Sequence, residues 1–430
     1  MIETNKRLKD DLDKIVSSIQ RKKSKPTGIS FSIIADIFYA NEKNMHENLI
    51  SITDVVNYIE AAGLQVQMED VEEENDDSNN SMTPFDPSKV DIAMNTLTFD
   101  LLIKRLENDE IDLFPDFQRK SGLWNSEQKS RLIESLLLRV PLPAFYFDGS
   151  NNSNWLIIDG LQRLSVIKEF FVDKSMRLTN LEFLRDLDGF GFDDLTRTHT
   201  RRIEETQIIA YVISPGTPEN LKFNIFKRIN TGGLKLEPQE IRHALYQGQA
   251  TSFLKKLAES EEFKHATYGS IKTDRMLDRE FVLRFCSFYL LGEEQYKGSI
   301  DDFLIEGMKR LNKLTSHELI DLELKFKKSM ELAFKIFGMF AFRKQFDKSR
   351  RNPINKALFE SWSVELAKLT DQQIKMAIDR GSKIDNAFMT KLSTSSSFED
   401  SLNGSFEGYV RGRFRTIRYI LEEVINDRES

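Results

Sequence analysis

The chain has 430 residues, of which 40% are apolar and 10% aromatic, enough for two or three domains with cores of their own. Its single cysteine, Cys286, excludes an internal disulfide bond. The charged N-terminus contains no apolar secretion signal, and no run of about twenty apolar residues is present, so we expect a cytoplasmic protein without a membrane span.

The formal net charge of −7 would disfavour nucleic-acid binding if it were evenly spread, but seven acids lie in one short stretch. Without these seven the formal charge is zero, so net charge neither supports nor excludes DNA as a partner. The stretch contains Glu69, Asp70, Glu72, Glu73, Glu74, Asp76 and Asp77.

The chain is predicted to have an N-terminal module and a linker before its main domains. Residues 1–68 are interpreted as a small helical module, with a winged-helix-like end as an alternative, and with helices near residues 8–19 and 53–62. Residues 69–94 hold the acidic stretch and a polar run. They are predicted to be a flexible linker, because so little apolar content cannot compensate the entropy of ordering.

The remaining sequence changes character once. Residues 95–245 alternate short apolar strands with amphipathic helices, whereas residues 246–430 show almost only helical periodicity. The predicted fold class is therefore α+β, with an α/β core followed by a mostly helical C-terminal domain. In that helical part Glu280 and Arg284 have i,i+4 spacing and are interpreted as a structural pair.

Within residues 95–245, the residues that begin and end helices and strands allow the elements to be placed. Asn125 and Gln128 predict a capping box for a helix that ends before Pro141. Strands are predicted at residues 144–147, 155–158 and 207–213, and a helix leads from the last of these to Asn230.

The second strand runs directly into Asp159-Gly160-Leu161-Gln162-Arg163 and then a helix. A helix N-terminus offers unpaired N–H groups to an anion, Gly160 allows close approach of phosphate, and Arg163 can bind phosphate oxygens in bidentate fashion. Asp159 could bind Mg²⁺ or position a water. The alternative is purely structural: Asp159 caps the helix and Arg163 pairs with a surface acid.

Two further elements are candidates for the same site. Pro115–Arg119 includes Gln118 and Arg119, which could reach the same anion, although an ordinary loop anchored by Phe117 and Trp124 is favoured for this element taken alone. Arg228-Ile229-Asn230-Thr231-Gly232-Gly233 could close over a nucleotide, with Asn230, Thr231 and Gly232 as contacts. A glycine cap at a helix end is the alternative explanation.

In this order, the three elements together resemble the N-terminal domain family of GmrSD-type modification-dependent restriction enzymes, from about Leu97 to Tyr246. The resemblance implies a ParB/sulfiredoxin-like fold that binds and hydrolyses a nucleoside triphosphate and senses foreign, often modified, phage DNA. It implies that Asp159, Gln162 and Arg163 are catalytic, with Asp159 as the Mg²⁺ ligand. Nucleotide-binding residues would be Gln118, Arg119, Gly160, Asn230, Thr231 and Gly232.

Some features of the sequence depart from this pattern. The family has Gln where this chain has Leu161, which puts hydrolysis or base preference in doubt. An HNH-type nuclease needs clustered histidines, and none of the five histidines lies in the last hundred residues, so the C-terminal part is not expected to be such a nuclease, and a separate nuclease subunit could be a partner. The sequence also lacks the Gly-x-x-x-x-Gly-Lys-Ser/Thr loop of an ordinary P-loop enzyme.

Two alternative functions remain open: a non-hydrolytic DNA-binding or regulatory protein on a ParB-like scaffold, and a metal-dependent DNA nickase acting through Asp159. Two basic clusters could contact DNA phosphate, although solvated helix faces balanced by nearby acids are favoured for both. These clusters are Lys344, Lys348, Arg350, Arg351 and Lys356, and Arg411, Arg413, Arg415 and Arg418.

Overall fold

The computed structural model describes residues 13, 29–30, 58–59, 66–67, 91–113, 124–151, 153–229, 236–273, 275–346 and 351–426. In these segments no helix combines the length and the apolar content that crossing a bilayer requires. The two-residue strands β1 (Ile29–Ser30) and β2 (Val66–Gln67) pair in parallel. Apart from these strands and residues 13, 58 and 59, the predicted N-terminal module and most of the predicted linker lie outside the described residues.

The chain divides into two compact units between Leu245 and Tyr246. Thr83–Leu245 forms the α/β unit, and Tyr246–Ser430 belongs to the helical unit. A mixed α+β structure, with one sheet followed by helices, confirms the predicted fold class at that level. The ParB/sulfiredoxin-like topology stays a prediction.

One mixed sheet of five strands lies at the centre of the α/β unit, in the order β3-β7-β5-β6-β4. Neighbours β3 and β7 are antiparallel, as are β5 and β6, whereas β7 with β5 and β6 with β4 are parallel. The strands are β3 (Ile92–Thr98), β4 (Ile111–Asp112), β5 (Phe145–Asp148), β6 (Trp155–Asp159) and β7 (Gln207–Ile213).

The strand predictions largely agree with this sheet. The bounds of β7 are those predicted, and β5 and β6 differ from the prediction by one residue at their ends. The predicted linker extends too far, because Ile92 already pairs with Ile213 of β7 and opens β3.

The two faces of the sheet differ in burial because successive strand residues point to opposite sides. In β7, Ile208, Ala210 and Val212 are buried, whereas Ile209 between them is 44% exposed. Four helices bury their apolar residues in one core with Ile208, Ala210 and Val212. They are α1 (Phe99–Glu107), α2 (Ser126–Leu137), α3 (Leu161–Ile167) and α4 (Arg197–Glu204). The chain continues α3 as a π-helical turn over Lys168–Val172. Helices α5 (Glu219–Ile229) and α6 (Pro238–Leu245) pack on each other, and α5 contacts β6.

Helix α2 begins as the sequence predicts. The Asn125 side chain accepts a hydrogen bond from the backbone N–H of Gln128 at 2.8 Å, and the Gln128 side chain accepts one from the backbone N–H of Asn125 at 3.0 Å. Further along α2, Glu134 is buried and accepts hydrogen bonds from the backbone N–H groups of residues 182–184. Burial alone would raise the pKa of Glu134, but these three donors lower it, so the carboxylate fixes that loop to α2.

The helical unit contains ten α-helices within the described ranges. The periodic stretches predicted at residues 281–291, 320–337 and 414–424 all lie inside helices. The helices are α7 (Gln249–Ala258), α8 (Glu261–Thr267), α9 (Leu277–Leu291), α10 (Ile300–Leu311), α11 (Ser316–Phe337), α12 (Lys356–Ala367), α13 (Asp371–Asp379), α14 (Gly381–Thr394), α15 (Ser396–Ser401) and α16 (Glu407–Asn426).

The core of the helical unit contains a charge network. Glu360 of α12 is fully buried and pairs with Arg284 at 2.9 Å and with Arg413. Arg284 also pairs with Glu280 at 3.2 Å, as its spacing predicts. Arg413 is 1% exposed, so the prediction of a solvated basic face is wrong at that position. The sequence predicted that Arg413 is solvated because its compensating acid, Glu360, lies on another helix and is distant in the chain.

Candidate functional site

The strand-turn-helix junction forms where the sequence predicts it. Strand β6 ends at Asp159, Gly160 has a φ of +102°, and α3 starts at Leu161. A Cβ on Gly160 would lie 2.5 Å from Cδ1 of Phe145, whose ring is buried under the turn. Gly160 is therefore required by the fold itself, both for its left-handed backbone and for its close contact with Phe145.

Arg163, one turn into α3, lies against the protein rather than projecting from it. Its guanidinium donates hydrogen bonds to the carbonyl oxygens of Pro143 and Ala144, the latter at 3.2 Å, and lies 4.5 Å above the Phe145 ring centre. It also pairs with Asp159 Oδ2 at 3.0 Å. Burial lowers the pKa of Arg163, which the Asp159 charge partly offsets. Arg163 thus connects the α3 start to the chain segment that enters β5.

Asp159 is about one-quarter exposed and is the register partner of Tyr146 on β5. A resident metal ion usually needs several protein donors, and the described residues contain no group of three acidic, histidine or cysteine side chains suited to one. Mg²⁺ bound mainly to nucleotide phosphates needs only one or two carboxylates. Asp159 offers one carboxylate, already paired with Arg163, so its predicted role as a Mg²⁺ ligand stays a prediction.

Gln162 points in a different direction from Arg163. Its Oε1 accepts a hydrogen bond from the backbone N–H of Trp124 at 3.2 Å. Trp124 belongs to the upstream element that the sequence places with this site, and the structure brings the two together across 38 residues of chain.

A cavity of about 500 Å³ lies beside this contact. Its volume falls within the ~300–1,000 Å³ of typical small-molecule sites. Leu113 and Trp124, which flank residues 114–123 in the chain, both line it. The other lining residues come from α1, β4, α2, the loop before β6, and α3 with its π-helical turn: Leu106, Asp109, Ile111, Asp112, Lys129, Asn154, Gln162, Ser165, Val166, Lys168, Glu169 and Asp173.

The cavity wall carries charges that are neither buried nor fully solvated. Lys129 pairs with Glu169 at 2.6 Å, with side chains 21% and 34% exposed. Lys168 pairs with Asp173 at 2.9 Å. The Oδ1 of Asn154 is buried and has no hydrogen-bond partner in the described part of the chain. An unsatisfied buried acceptor is costly, so this wall suits a ligand that can donate a hydrogen bond.

The structure thus locates four of the predicted site residues. Asp159, Gly160 and Arg163 form one cluster, while Gln162 faces the cavity. The other predicted residues, Gln118, Arg119, Asn230, Thr231 and Gly232, lie outside the described residues, so their roles stay predictions.

Sequence reasoning missed Lys129, Asn154 and Glu169. Lys129 and Glu169 lie on the polar sides of helices. Their ion pair could not be predicted because the two residues are 40 positions apart in the chain. Asn154 had a usable signal, since it directly precedes the strand that leads to Asp159.

A comparison with known protein families identifies the part of the chain that contains this site. Residues 100–247 match the GmrSD restriction endonuclease, N-terminal domain. The match to this GmrSD-type domain runs from α1 to just beyond α6 and confirms the resemblance read from the three motifs. No curated protein and no solved structure matches the chain.

Proposed function

We propose that the GmrSD-type domain binds and hydrolyses a nucleoside triphosphate in the cavity beside Gln162, as part of a restriction or anti-phage defence system that senses DNA. The observation that carries this proposal is the hydrogen bond from Trp124 to Gln162, because it joins two motifs at the edge of a ligand-sized cavity. The match to a restriction endonuclease N-terminal domain supports the defence role.

The residues would have distinct tasks. Gln162 would orient the phosphates or the attacking water, and Lys129 would exchange its partner Glu169 for phosphate, in a lining whose four carboxylates outnumber its two lysines. Gln118 and Arg119 would contribute from the segment whose chain neighbours, Leu113 and Trp124, line the cavity. Asp159 is paired with Arg163 and does not line this cavity, so its role as a ligand of nucleotide-bound Mg²⁺ stays a prediction.

For Arg163 the geometry favours a positioning role. Its contacts with Pro143, Ala144 and Asp159 hold the turn on which Gln162 lies. Arg163→Ala would therefore change stability and turnover together, whereas Gln162→Ala removes one amide without disturbing that cluster.

The test is phosphate release from ATP, GTP, CTP and UTP with Mg²⁺, with and without phage DNA. Wild type should turn over at least one nucleotide, and Gln162→Ala should lower that rate by about 10²-fold, a loss typical of removing one transition-state contact. Gln207→Ala, on an exposed glutamine of β7 away from the cavity, is the matched control. Equal rates in wild type and Gln162→Ala would contradict the proposal.

A second candidate is a non-hydrolytic DNA-binding or regulatory module that works with a separate nuclease. The observation favouring it is that Arg163 is already bound to main-chain oxygens and Asp159. This module would bind DNA with a steep dependence on salt and without any effect of nucleotide. Absence of phosphate release together with such binding would select it over the hydrolase.

A further inference from the structure

Helix α16 of the helical unit has two sides of different character. One side is buried in the core of the unit, whereas the other is exposed or half-exposed along the length of the helix. On this second side Gly408, Gly412, Arg415, Tyr419 and Glu422 follow one another at alternating intervals of four and three residues. This spacing keeps side chains on one face of a helix, and it is the spacing with which two helices pack along each other.

The charges on this exposed face lack partners of their own. Three of the four arginines in the basic cluster predicted on α16 pair with acids of the helical unit, namely Arg411, Arg413 and Arg418. The fourth, Arg415, is exposed and forms no ion pair with any described residue, and the same is true of Glu422 two turns further along the face. The two are about 10 Å apart along the helix axis, which is too far for them to pair with each other.

The residues between and beside these charges suit a contact with another helix. Tyr419 lies between Arg415 and Glu422 and is 58% exposed. Exposed tyrosine next to arginine is typical of protein–protein contacts. A Cβ on Gly412 would meet no described heavy atom within 4 Å, so the packing of the described residues does not require this glycine. Glycine nevertheless weakens a helix interior relative to alanine, and close approach of a second backbone would explain its presence.

The order of residues on the face is self-complementary. Arg415 and Glu422 lie at equal distances, about 5 Å along the axis, on either side of a point next to Tyr419. If a second α16 crosses this point in the antiparallel direction, Arg415 of each copy faces Glu422 of the other copy. The two Tyr419 rings then meet at the two-fold axis. Gly412 lies opposite the last turn of the other helix, where its missing side chain allows the two backbones to approach.

We propose that two copies of this chain form a two-fold dimer through antiparallel contact of their α16 helices, with Arg415, Tyr419 and Glu422 at the interface. Charge complementarity favours a second copy as the occupant, because one helix supplies both signs in the order that its own inverted copy requires. The surface lies outside residues 100–247, which match the family, and outside the cavity beside Gln162, so this dimer goes beyond the proposed function. One pair of helices buries less area than a standard interface, so we expect a Kd in the micromolar range.

The experiment is sedimentation equilibrium of the full chain at about 1–100 µM, where an interface of this strength changes from mostly free to mostly occupied. Wild type should pass from monomer to dimer. Arg415→Glu and Glu422→Arg each place like charges at both symmetry-related contacts, so each should raise the Kd by ~10²-fold or more. The double variant Arg415→Glu/Glu422→Arg restores both pairs with their signs exchanged, and its Kd should return to within about threefold of wild type.

Two further variants complete the series. Tyr419→Ala removes the rings at the two-fold axis and should weaken the dimer by about tenfold or more. Lys255→Glu reverses an exposed charge on α7 of the same unit and is the matched control, which should dimerise like wild type. All of these side chains are exposed, so the variants should fold, and circular dichroism verifies this.

Each outcome decides the proposal. Weakening by both single reversals with recovery in the double variant supports it, because only direct contact between the two positions explains the recovery. A wild-type chain that stays monomeric over the whole concentration range overturns it. A dimer that the single reversals leave unchanged, or that the double variant fails to restore, overturns it as well. Phosphate release at the Gln162 cavity is measured separately, so either proposal can fail alone.

Discussion

The two units of this protein use their charged side chains in different ways. In the helical unit Glu360 is fully buried between Arg284 and Arg413, so these charges are matched inside the core. In the α/β unit Lys129 and Glu169 form a comparable ion pair, but both are partly exposed on the wall of a cavity.

This difference indicates which charges serve the fold and which are available to a ligand. A buried pair loses its water on folding and is costly to break, whereas a partly exposed pair contributes little to stability and can exchange its partner. If the contrast is correct, substitutions in the helical unit change stability, and substitutions at the cavity change binding.

The largest effect is expected for Glu360→Gln. Removing this charge leaves Arg284 and Arg413 buried without their shared carboxylate, which should lower the free energy of unfolding by about 3–5 kcal/mol. Urea unfolding followed by circular dichroism measures it. Asp371→Ala breaks an exposed pair with Lys328 and should cost at most about 1 kcal/mol. Equal losses in the two variants would remove the contrast between buried and exposed charge.

Gly160→Ala tests whether the signature glycine serves the fold. Alanine at this position must adopt a backbone φ of +102°, and its methyl group would lie 2.5 Å from the Phe145 ring. We expect a loss of roughly 2–4 kcal/mol of stability from backbone strain and overpacking together. A variant as stable as wild type but defective in nucleotide binding would show instead that the glycine serves the ligand alone.

Glu134→Gln should have a smaller effect that depends on pH. Because the folded pKa of Glu134 lies below its ordinary value of 4.5, its contribution is present above about pH 4.5 and is lost as the pH falls through the folded pKa. At neutral pH the variant should lose about 1.5–3 kcal/mol, the value of hydrogen bonds to a charged acceptor. The difference from wild type should narrow in acid, and a difference independent of pH would contradict this account.

The smallest effect on stability is expected for Lys129→Met. Its pair with Glu169 is partly exposed, so we expect a loss of less than about 1 kcal/mol, together with weaker nucleotide binding. Arg131→Ala, which removes an exposed charge from the same helix outside the cavity, is the matched control. If Lys129→Met and the control bind nucleotide equally well, Lys129 has no role in the cavity.

Several features of the α/β unit could be predicted from the sequence because their causes are local. The capping box of Asn125 and Gln128, the whole of β7 and the turn at Gly160 all depend on residues within a few positions of each other. The motif order also identified the GmrSD-type domain, since the three elements together are far more specific than each alone.

The sequence could not give the direction in which neighbouring motif residues point. Gln162 and Arg163 are adjacent, yet one faces a cavity and the other the main chain beneath it, because α3 turns successive side chains by about 100°. Similarly, only the pairing of β3, β7, β5 and β6 brings Met94, Tyr211, Tyr146 and Asp159 into one row.

The sequence by itself thus determined the elements, their order and the chemical groups available, because propensity, capping and motif spacing act over a few residues. The tertiary structure decided which of those groups are buried, paired or directed into a cavity. That decision depends on contacts between segments tens of residues apart, such as Trp124 with Gln162 and Lys129 with Glu169. Such contacts form only when the whole sheet and its helices pack together, so the periodicity of the sequence does not predict them.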